Sequence, residues 1–328
     1  MNAQPDTGAW WARLDAAAAQ LGACTNWPCG ELFARDLPLA KPGQCSANGT
    51  CRLYRAADGW IALNLARADD VALLSALFEA EIDDPSLHRL ADMFMILPVA
   101  HWRARATLLG LPLGVVGEAE ALEPALLHAS KEAPPRQLAN IRVLDLSALW
   151  AGPLCGALLA AGGAQVTKWQ DPARPDPTAQ TTPLHAARLN GVKKHRVEPL
   201  NLETVACALH DTDILITSAR PAALARLGLE PERVFAAHPH LLWVAISAYG
   251  WAGEAGQRVG FGDDCAAAGG LVAWQDSAPQ FMGDALADPL TGLVAATAAL
   301  EARAHGRGGL LDCALAPTAA MFSDEKTK

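Results

Sequence analysis

The segment IRVLDLSALWAGPLCGALLAAGGAQVTKWQDP, residues 141–172, decides the fold. Its apolar residues predict a strand over 141–146 and a second strand over 166–169, because both are short runs that end at turn residues. Between them, the small residues of 153–161 predict a helix. A strand, a helix and a second strand in this order are typical of a parallel β-α-β unit.

The same alternation continues through the rest of the chain. Residues 214–217 and 241–247 are further apolar runs that predict buried strands, and residues 202–210 and 221–227 predict helices. We therefore expect a Rossmann-like parallel sheet with helices on both faces. The first turn lacks the G-x-G-x-x-G pattern of dinucleotide sites, and the chain has neither a P-loop nor a G-x-S-x-G nucleophile elbow.

A polar stretch with two prolines, residues 131–138, separates this half from a different first half. We interpret 131–138 as a linker, 1–130 as a smaller α/β domain with an N-terminal helical extension, and 139–328 as the Rossmann-like domain. The small domain should contain a β-hairpin, because residues 51–54 and 60–64 predict strands on either side of the turn 55–59, which ends in Asp58-Gly59.

Helices are predicted over 69–79 and 100–109 of the first half, followed by a turn and a short strand within 111–116. These elements would complete the smaller domain around the hairpin.

Composition limits the possible partners. The 328 residues are 51% hydrophobic and carry a formal net charge of −9, without a long basic cluster. Nucleic acid and anionic membranes are therefore not expected as partners. No apolar run reaches the length of a membrane span, and the first twenty residues do not have the pattern of a secretory signal. We expect a cytoplasmic protein.

Four of the eight cysteines, Cys24, Cys29, Cys45 and Cys51, lie close together in the sequence. Zinc ligands usually come in pairs with two residues between them, whereas these pairs have four and five residues between them and no histidine among them. Ordinary reduced thiols are the favoured interpretation, and no metal is expected.

Residues 281–303, FMGDALADPLTGLVAATAALEAR, contain two acids ahead of a long apolar helix. Asp288 followed by Pro289 predicts an N-cap and a first helical residue. Two roles remain open for Asp288. It could simply cap the helix, or its carboxylate could attack an activated carbonyl from the helix N-terminus.

Several blocks of the second half, in order, resemble the family III CoA-transferases, the group that includes formyl-CoA transferase, carnitine CoA-transferase and α-methylacyl-CoA racemase. The matching blocks are residues 141–172, 189–202, 213–229, 238–272 and 283–315. Residues 51–70 and 101–122 resemble the small domain of the same family, which usually follows the large-domain helices. The resemblance thus implies a family III CoA-transferase-like α/β fold in a permuted or truncated arrangement, with 139–328 as the CoA-binding and catalytic domain.

The resemblance also implies substrates and site residues. It implies coenzyme A, carried as acyl-CoA, a small carboxylic acid as the second substrate, and a homodimer. Asp288 occupies the position of the aspartate that forms the acyl-enzyme in the transferases. The positions that correspond to CoA contacts in the family are Arg226, Lys193, Lys194, Ala151, Gly152, Pro153, Ser218 and Ala219.

Some positions depart from the family pattern. Phe261 stands where the racemase branch has a histidine, although Asp263 or Asp264 could replace that base. The glycine-rich loop that covers the aspartyl adduct in some members has no obvious counterpart. The leading function is acyl-CoA:carboxylate CoA transfer, and the alternatives are an acyl-CoA racemase or isomerase and a non-catalytic CoA-binding protein.

Overall fold

The computed structural model describes residues 43–82, 87–129 and 138–323. The strands of this part of the chain are β1 Cys51–Arg55, β2 Trp60–Asn64, β3 Leu113–Val115, β4 Ala125–Leu127, β5 Arg142–Asp145, β6 Gln165–Gln170, β7 Lys194–Val197, β8 Ile214–Thr217, β9 Leu242–Ser247, β10 Val272–Gln275, β11 Ala278–Phe281 and β12 Gly309–Ala314.

Its α-helices are α1 Ala68–Ala72, α2 Leu74–Phe78, α3 Leu87–Phe94, α4 Val99–Leu109, α5 Ala151–Ala161, α6 Thr178–Thr181, α7 Pro183–Asn190, α8 Leu202–Leu209, α9 Pro221–Ala225, α10 Pro231–Ala237, α11 Gly262–Ala268, α12 Ala287–Ala304 and α13 Leu315–Met321.

The main sheet has seven strands in the order β4-β12-β9-β8-β5-β6-β7. Its strands are parallel except β4, which runs antiparallel to β12. The six parallel strands thus have the doubly wound order of a Rossmann-like fold, in which the chain direction across the sheet reverses between β5 and β8. The register there pairs Val143 with Ile214. The predicted α/β class is confirmed.

Both faces of this sheet are buried, which explains why its strands are apolar on successive residues. One core contains α5, α12 and α13 against side chains such as Val143 and Val244. The other contains α8 and α9 against Trp169 and Trp243. Gly292 lets α12 approach α5 closely, because a Cβ there would lie 2.8 Å from the carbonyl oxygen of Ala151.

The smaller unit is a three-stranded antiparallel sheet, β1-β2-β3, covered by α2, α3 and α4. The predicted hairpin is present, and Arg55, which was expected in the turn, ends β1 opposite Trp60. Aromatic rings fill the core beneath it: Phe94 meets Trp102 edge to face at 5.0 Å and Tyr54 at 4.9 Å. The helix expected over 69–79 is instead two short helices, α1 and α2, that meet at Leu73.

The first half also reaches into the main sheet. Strand β4, which we assigned to the 1–130 segment, forms the edge of the seven-stranded sheet. The Nδ2 of Asn64 donates to Oδ1 of Asp264 at 2.9 Å, and both side chains are buried. Arg258 donates to the carbonyl of Leu113 and to Glu118. The small sheet is therefore fixed against α11 and the loop that precedes it.

Several expectations concern residues outside the described ranges. These are the N-terminal helical extension, most of the 131–138 linker, and Cys24 and Cys29 of the cysteine cluster. Across the ranges that are described, no helix is long and apolar enough to cross a membrane.

One helix start differs from the expectation. Helix α12 begins at Ala287 with Leu286 as its N-cap, so Asp288 is the second helical residue and not the cap. The backbone N–H of Asp288 donates to the carbonyl of Ala285, which has a φ of +49°. This turn starts the helix before Asp288, and Pro289 is accommodated because the first-turn N–H groups lack helical partners.

Candidate active site

A cavity of about 370 Å³ opens at the carboxyl ends of the parallel strands, beside the reversal point between β5 and β8. Ligand sites of doubly wound sheets lie at this position, because the loops on either side of the reversal separate and leave a crevice. The walls are mainly apolar, and include Leu149, Ile246, Ala248, Phe261 and Leu315. Among the described residues that line it, Asp288 contributes the single carboxylate.

Asp288 is half-buried and lies in the first turn of α12, where the helix dipole favours a negative charge. Gly262, the first residue of α11, packs directly against Asp288, since a Cβ at that position would collide with Oδ2 of Asp288 and lie 2.6 Å from the carbonyl oxygen of Ala285. Burial, with the carboxylates of Asp264 and Asp288 nearby, raises the pKa of the Cys265 thiol well above its usual range. The carboxylate therefore lies between two helix starts, those of α11 and α12.

Four of the residues assigned from the family resemblance line the same cavity as Asp288. Ala151 and Gly152 form the start of α5, and Ser218 and Ala219 follow the end of β8. Gly152 has no room for a side chain, because a Cβ would collide with Ser147. The Oγ of Ser218 accepts the N–H of Ala148 at 2.8 Å and so joins the two loops.

Lys193 does not line the cavity that contains Asp288. Its side chain is buried, and its Nζ donates to three protein oxygens: Oδ2 of Asp145 at 2.7 Å, the carbonyl of Pro153 at 2.7 Å and Oδ1 of Asn190 at 2.9 Å. An ammonium has three donors, so this one has none left for a phosphate. The geometry does not support our assignment of Lys193 and Pro153 as CoA contacts.

The partner of Lys193 is a buried carboxylate with a second ammonium nearby. Nζ of Lys168 lies 3.6 Å from Oδ1 of Asp145. Burial alone would raise the pKa of Asp145, but Lys168, Lys193 and the Ser147 hydroxyl hold it below its usual value. Asp145 is therefore an ionised group in the interior. By contrast, Lys194 is exposed at the start of the edge strand β7.

Arg226 is exposed at the end of α9 and does not line the cavity that contains Asp288. It lines two adjoining cavities. One, of about 410 Å³, also contains Lys168 and Arg174, and it shares Ala148, Ala219 and Ala223 with the Asp288 cavity. Three basic side chains therefore line a cavity that adjoins the one containing Asp288, and Asp171 and Asp176 line it with them.

Three arginines at the Asp288 cavity were missed by the sequence analysis: Arg67, Arg220 and Arg258. They come from the small unit, from the end of β8 and from the loop before α11, so no spacing in the sequence connects them. Arg258 is engaged by Glu118 at 2.6 Å and stacks on Tyr249. Arg220 follows a buried strand and precedes Pro221 at a helix start, and this position could have predicted that it lies at the ligand site.

The two acids considered as alternative bases are buried in the first turn of α11. Oδ1 of Asp263 accepts the N–H of Ala285 at 2.7 Å, and Oδ1 of Asp264 accepts from Asn64 and from the N–H of Phe261. Burial raises the pKa of Asp264 to about 7. Neither acid lines the Asp288 cavity, whereas Phe261 does.

Across the part of the chain that the structure describes, no group of three or more His, Cys, Asp or Glu residues is arranged to hold a metal ion. Cys45 and Cys51 are free thiols.

The family is established by a direct match. The family model of CoA-transferase family III matches residues 138–327, which is more than half of the chain. The chain belongs to CoA-transferase family III. This confirms the resemblance seen in the sequence.

Individual relatives agree with this. The chain is 31% identical over 201 residues to the succinyl-CoA–D-citramalate CoA-transferase of Chloroflexus aurantiacus, covering 56% of this chain and 50% of that one. It is 28% identical to the succinyl-CoA:glutarate CoA-transferase of Mus musculus, covering 55% and 45%. The chain spans about half the length of these curated relatives.

A solved structure gives the same result. The crystal structure of a CAIB/BAIF family protein from Brucella suis superposes with a TM-score of 0.52 at 25% identity, covering 58% of this chain and 55% of that chain.

Proposed function

We propose that this protein transfers CoA from an acyl-CoA to a carboxylic acid, with the Asp288 carboxylate as the nucleophile. The observation that carries the proposal is the position of Asp288: a half-buried carboxylate in the first turn of an 18-residue helix, facing an apolar cavity at the reversal point of the sheet. An apolar wall favours attack, because it removes water that would solvate the carboxylate and hydrolyse its adducts.

In the proposed reaction, an oxygen of Asp288 attacks the thioester carbonyl carbon of the donor. The carbon–sulfur bond breaks, CoA leaves as the thiolate, and a mixed anhydride forms on Asp288. The thiolate then attacks the aspartyl carbonyl, which releases the donor acid and gives an aspartyl-CoA thioester. The acceptor carboxylate attacks that thioester, and return of the thiolate to the acceptor's acyl carbon regenerates Asp288.

CoA is proposed to lie along the two adjoining cavities. Its phosphates would sit near Arg226 and Arg174 in the 410 Å³ cavity, where guanidinium groups can bind them. The pantetheine arm would pass Ala148 and Ala219, which belong to both cavities, and bring the thioester to Asp288. Small side chains at these two positions support the path, because they leave the passage open.

Racemisation or isomerisation is the less favoured alternative. A two-base mechanism needs a second proton-transfer group beside the substrate's α-carbon. Asp263 and Asp264 are buried and hydrogen-bonded, and Phe261 occupies the cavity wall. Uptake of solvent deuterium at the α-carbon of an acyl-CoA would restore this alternative.

Chemical trapping tests the nucleophile. The protein is incubated with succinyl-CoA and hydroxylamine, digested and analysed by peptide mass spectrometry. We expect a hydroxamate at Asp288, because both the anhydride and the thioester on its carboxyl react with hydroxylamine. A hydroxamate at Asp284 alone would reassign the nucleophile. Turnover without any adduct would refute the covalent mechanism, and binding of CoA without turnover would favour the non-catalytic CoA-binding protein.

We also propose a cytoplasmic homodimer. Exposed apolar side chains on the small unit, such as Met95, Ile96 and Leu108, support a covered surface there. Light scattering at micromolar concentration should give a mass near twice 34.4 kDa. A mass near 34.4 kDa throughout that range would refute the dimer.

A further inference from the structure

Residues 282–286 connect β11 to α12 and set the direction in which the first turn of α12 points. Ala285 in this connection has a φ of +49°, which lies in the left-handed region. In that region the Cβ of an L-residue comes close to the carbonyl oxygen that follows, so glycine is the usual residue there. An alanine at this position is therefore held in a strained conformation.

Two other non-glycine residues with positive φ show a contrast. Asp276 and Ser277 form the two-residue turn of the β10–β11 hairpin, where both positions need a positive φ, and both are exposed. Ala285 lies outside that hairpin and is only 7% exposed. The geometry of a hairpin turn thus does not account for the conformation of Ala285.

A tertiary hydrogen bond accounts for it. Oδ1 of Asp263, in the first turn of α11, accepts the backbone N–H of Ala285 at 2.7 Å. Both residues are buried. A buried N–H that loses its acceptor destabilises the structure, so this bond favours the left-handed conformation that brings the N–H of Ala285 to Asp263.

The same turn also holds the start of α12. The carbonyl of Ala285 accepts the backbone N–H of Asp288 at 2.9 Å. A Cβ on Gly262 would lie 2.6 Å from both the Cβ and the carbonyl oxygen of Ala285, so the turn is packed against the first residue of α11. A negative φ at residue 285 would reorient its carbonyl and redirect the first turn of α12.

We propose that Asp263 is a positioning residue for CoA transfer, which acts by holding Ala285 in the left-handed conformation and thereby placing the Asp288 carboxylate in its cavity. This inference rests on the proposed function. Asp263 does not line the cavity, so it acts through the turn and not on the substrate. Displacement of a nucleophile lowers kcat, while the distant contacts that bind acyl-CoA keep KM constant.

A rescue experiment tests the proposal, with CoA exchange between succinyl-CoA and labelled succinate as the assay. Asp263→Ala should lower kcat by about 10- to 100-fold and change the KM for succinyl-CoA by less than about twofold. Adding Ala285→Gly should recover kcat by about fivefold or more, because glycine adopts a positive φ without the hydrogen bond.

Ser277→Gly is the matched control for the rescue. It relieves the same kind of backbone strain, at a φ of +64°, in the exposed hairpin turn. Added to Asp263→Ala, it should recover nothing, because its effect is on general stability and not on the turn before Asp288. No recovery from Ala285→Gly, or equal recovery from both glycine variants, would overturn the inference.

Asp263→Asn keeps a side-chain oxygen as acceptor and serves also if Asp263→Ala does not fold. Its neutral hydrogen bond is weaker than that of a carboxylate, so kcat should fall by about three- to fivefold. Ala285→Gly should restore this loss and Ser277→Gly should not. A loss that Ala285→Gly does not relieve would contradict positioning through the turn.

Failure of the proposed function gives a different result. If the wild-type protein exchanges no CoA, the transfer reaction is refuted, and crystal structures of the variants decide the inference. In Asp263→Ala, residue 285 should have a negative φ and the Asp288 carboxylate should be displaced. In the double variant with Ala285→Gly, both should return to their wild-type positions. A positive φ at residue 285 in Asp263→Ala, with Asp288 in place, would overturn the inference.

Discussion

Two aspartates near the carboxyl edge of the main sheet, Asp145 and Asp288, have opposite surroundings. Asp145 ends β5, is fully buried, and is compensated by Lys193, Lys168 and the Ser147 hydroxyl. Asp288 lies in the first turn of a helix, is half-buried, and faces a cavity with arginines at its boundary. The carboxylate of Asp145 is bonded to groups of the protein interior, while the carboxylate of Asp288 can contact a ligand in the cavity.

This difference shows that the residue type of a charged position in a family motif does not by itself tell whether the side chain binds a ligand or stabilises the interior. Lys193 and Arg226 were both assigned to CoA phosphates from the sequence. In the structure Lys193 neutralises Asp145, whereas Arg226 is exposed at the edge of a crevice. Lys193 and Arg226 differ in how many of their hydrogen-bond donors remain without a protein oxygen as acceptor.

The largest expected effect is on catalysis at Asp288. Asp288→Asn removes the nucleophile and should lower CoA transfer by about 10³-fold or more, because no other carboxylate lines the cavity in the described part of the chain. The free energy of unfolding should change by less than about 1 kcal/mol, since the side chain is only half-buried. Exchange of labelled CoA and urea unfolding measure the two quantities. Retained exchange would assign Asp288 a structural role and remove the contrast with Asp145.

The second prediction concerns stability at Asp145. Lys193→Met leaves a buried carboxylate without its closest cation and should lower the free energy of unfolding by about 3–5 kcal/mol. Lys194→Met, at the exposed neighbouring position, is the matched control and should change it by less than about 0.5 kcal/mol. Similar urea midpoints for the two variants would show that the buried pair does not stabilise the fold.

The third prediction is a pH dependence that originates at Asp264, between the small sheet and α11. Its folded-state pKa of about 7 lies above the unfolded value, so the folded state holds a proton that the unfolded state has lost. The resulting stability is present below about pH 4 and is lost as the pH rises to about 7. Between pH 5 and 7 the loss should be about 2–3 kcal/mol.

Asp264→Asn removes that titration and should flatten the pH profile over this interval, while its side-chain oxygen can still accept from Asn64 and Phe261. The neighbouring titratable groups Asp263, Cys51 and Cys265 remain in both proteins. Urea unfolding at pH 5, 6, 7 and 8 gives the two profiles. Parallel profiles would mean that Asp264 does not carry the dependence.

The fourth prediction tests how tightly the cavity holds Asp288. Gly262→Ala places a methyl group against Oδ2 of Asp288, so the carboxylate must move. A displacement of this kind should lower transfer by about 10- to 100-fold. Gly43→Ala is the control, because nothing lies within 4 Å of a Cβ there. Unchanged transfer in Gly262→Ala would show that the reactive position tolerates movement.

The smallest effect is expected at Arg226. Its guanidinium is exposed, so solvent weakens its attraction for phosphate, and Arg226→Gln should raise the KM for acyl-CoA by about fivefold. The effect should shrink with added salt. A change in kcat with constant KM would place Arg226 closer to the reacting atoms than its position at the end of α9 indicates.

Local patterns were sufficient for most of the framework. The strands predicted over 141–146, 214–217 and 241–247 correspond to β5, β8 and β9, because a strand buried on both faces is apolar along its whole length. The hairpin predicted around residues 55–59 also followed from a local pattern. The first residue of α12 could not be predicted from such a local pattern. The turn at Ala285, whose N–H is bonded to Asp263 from α11, starts the helix one residue before Asp288.

The sequence by itself determined the fold class, the family and the identity of Asp288 as the candidate nucleophile, since each depends on short segments whose residue types are informative. Only the tertiary structure decided which basic residues face the cavity. Arg67 and Arg220 are 153 positions apart in the sequence, and they approach each other at Gly110 because the small unit packs on α11. Lys193 turns inward because a buried carboxylate at the end of β5 needs a cation, and the fold brings that lysine to it.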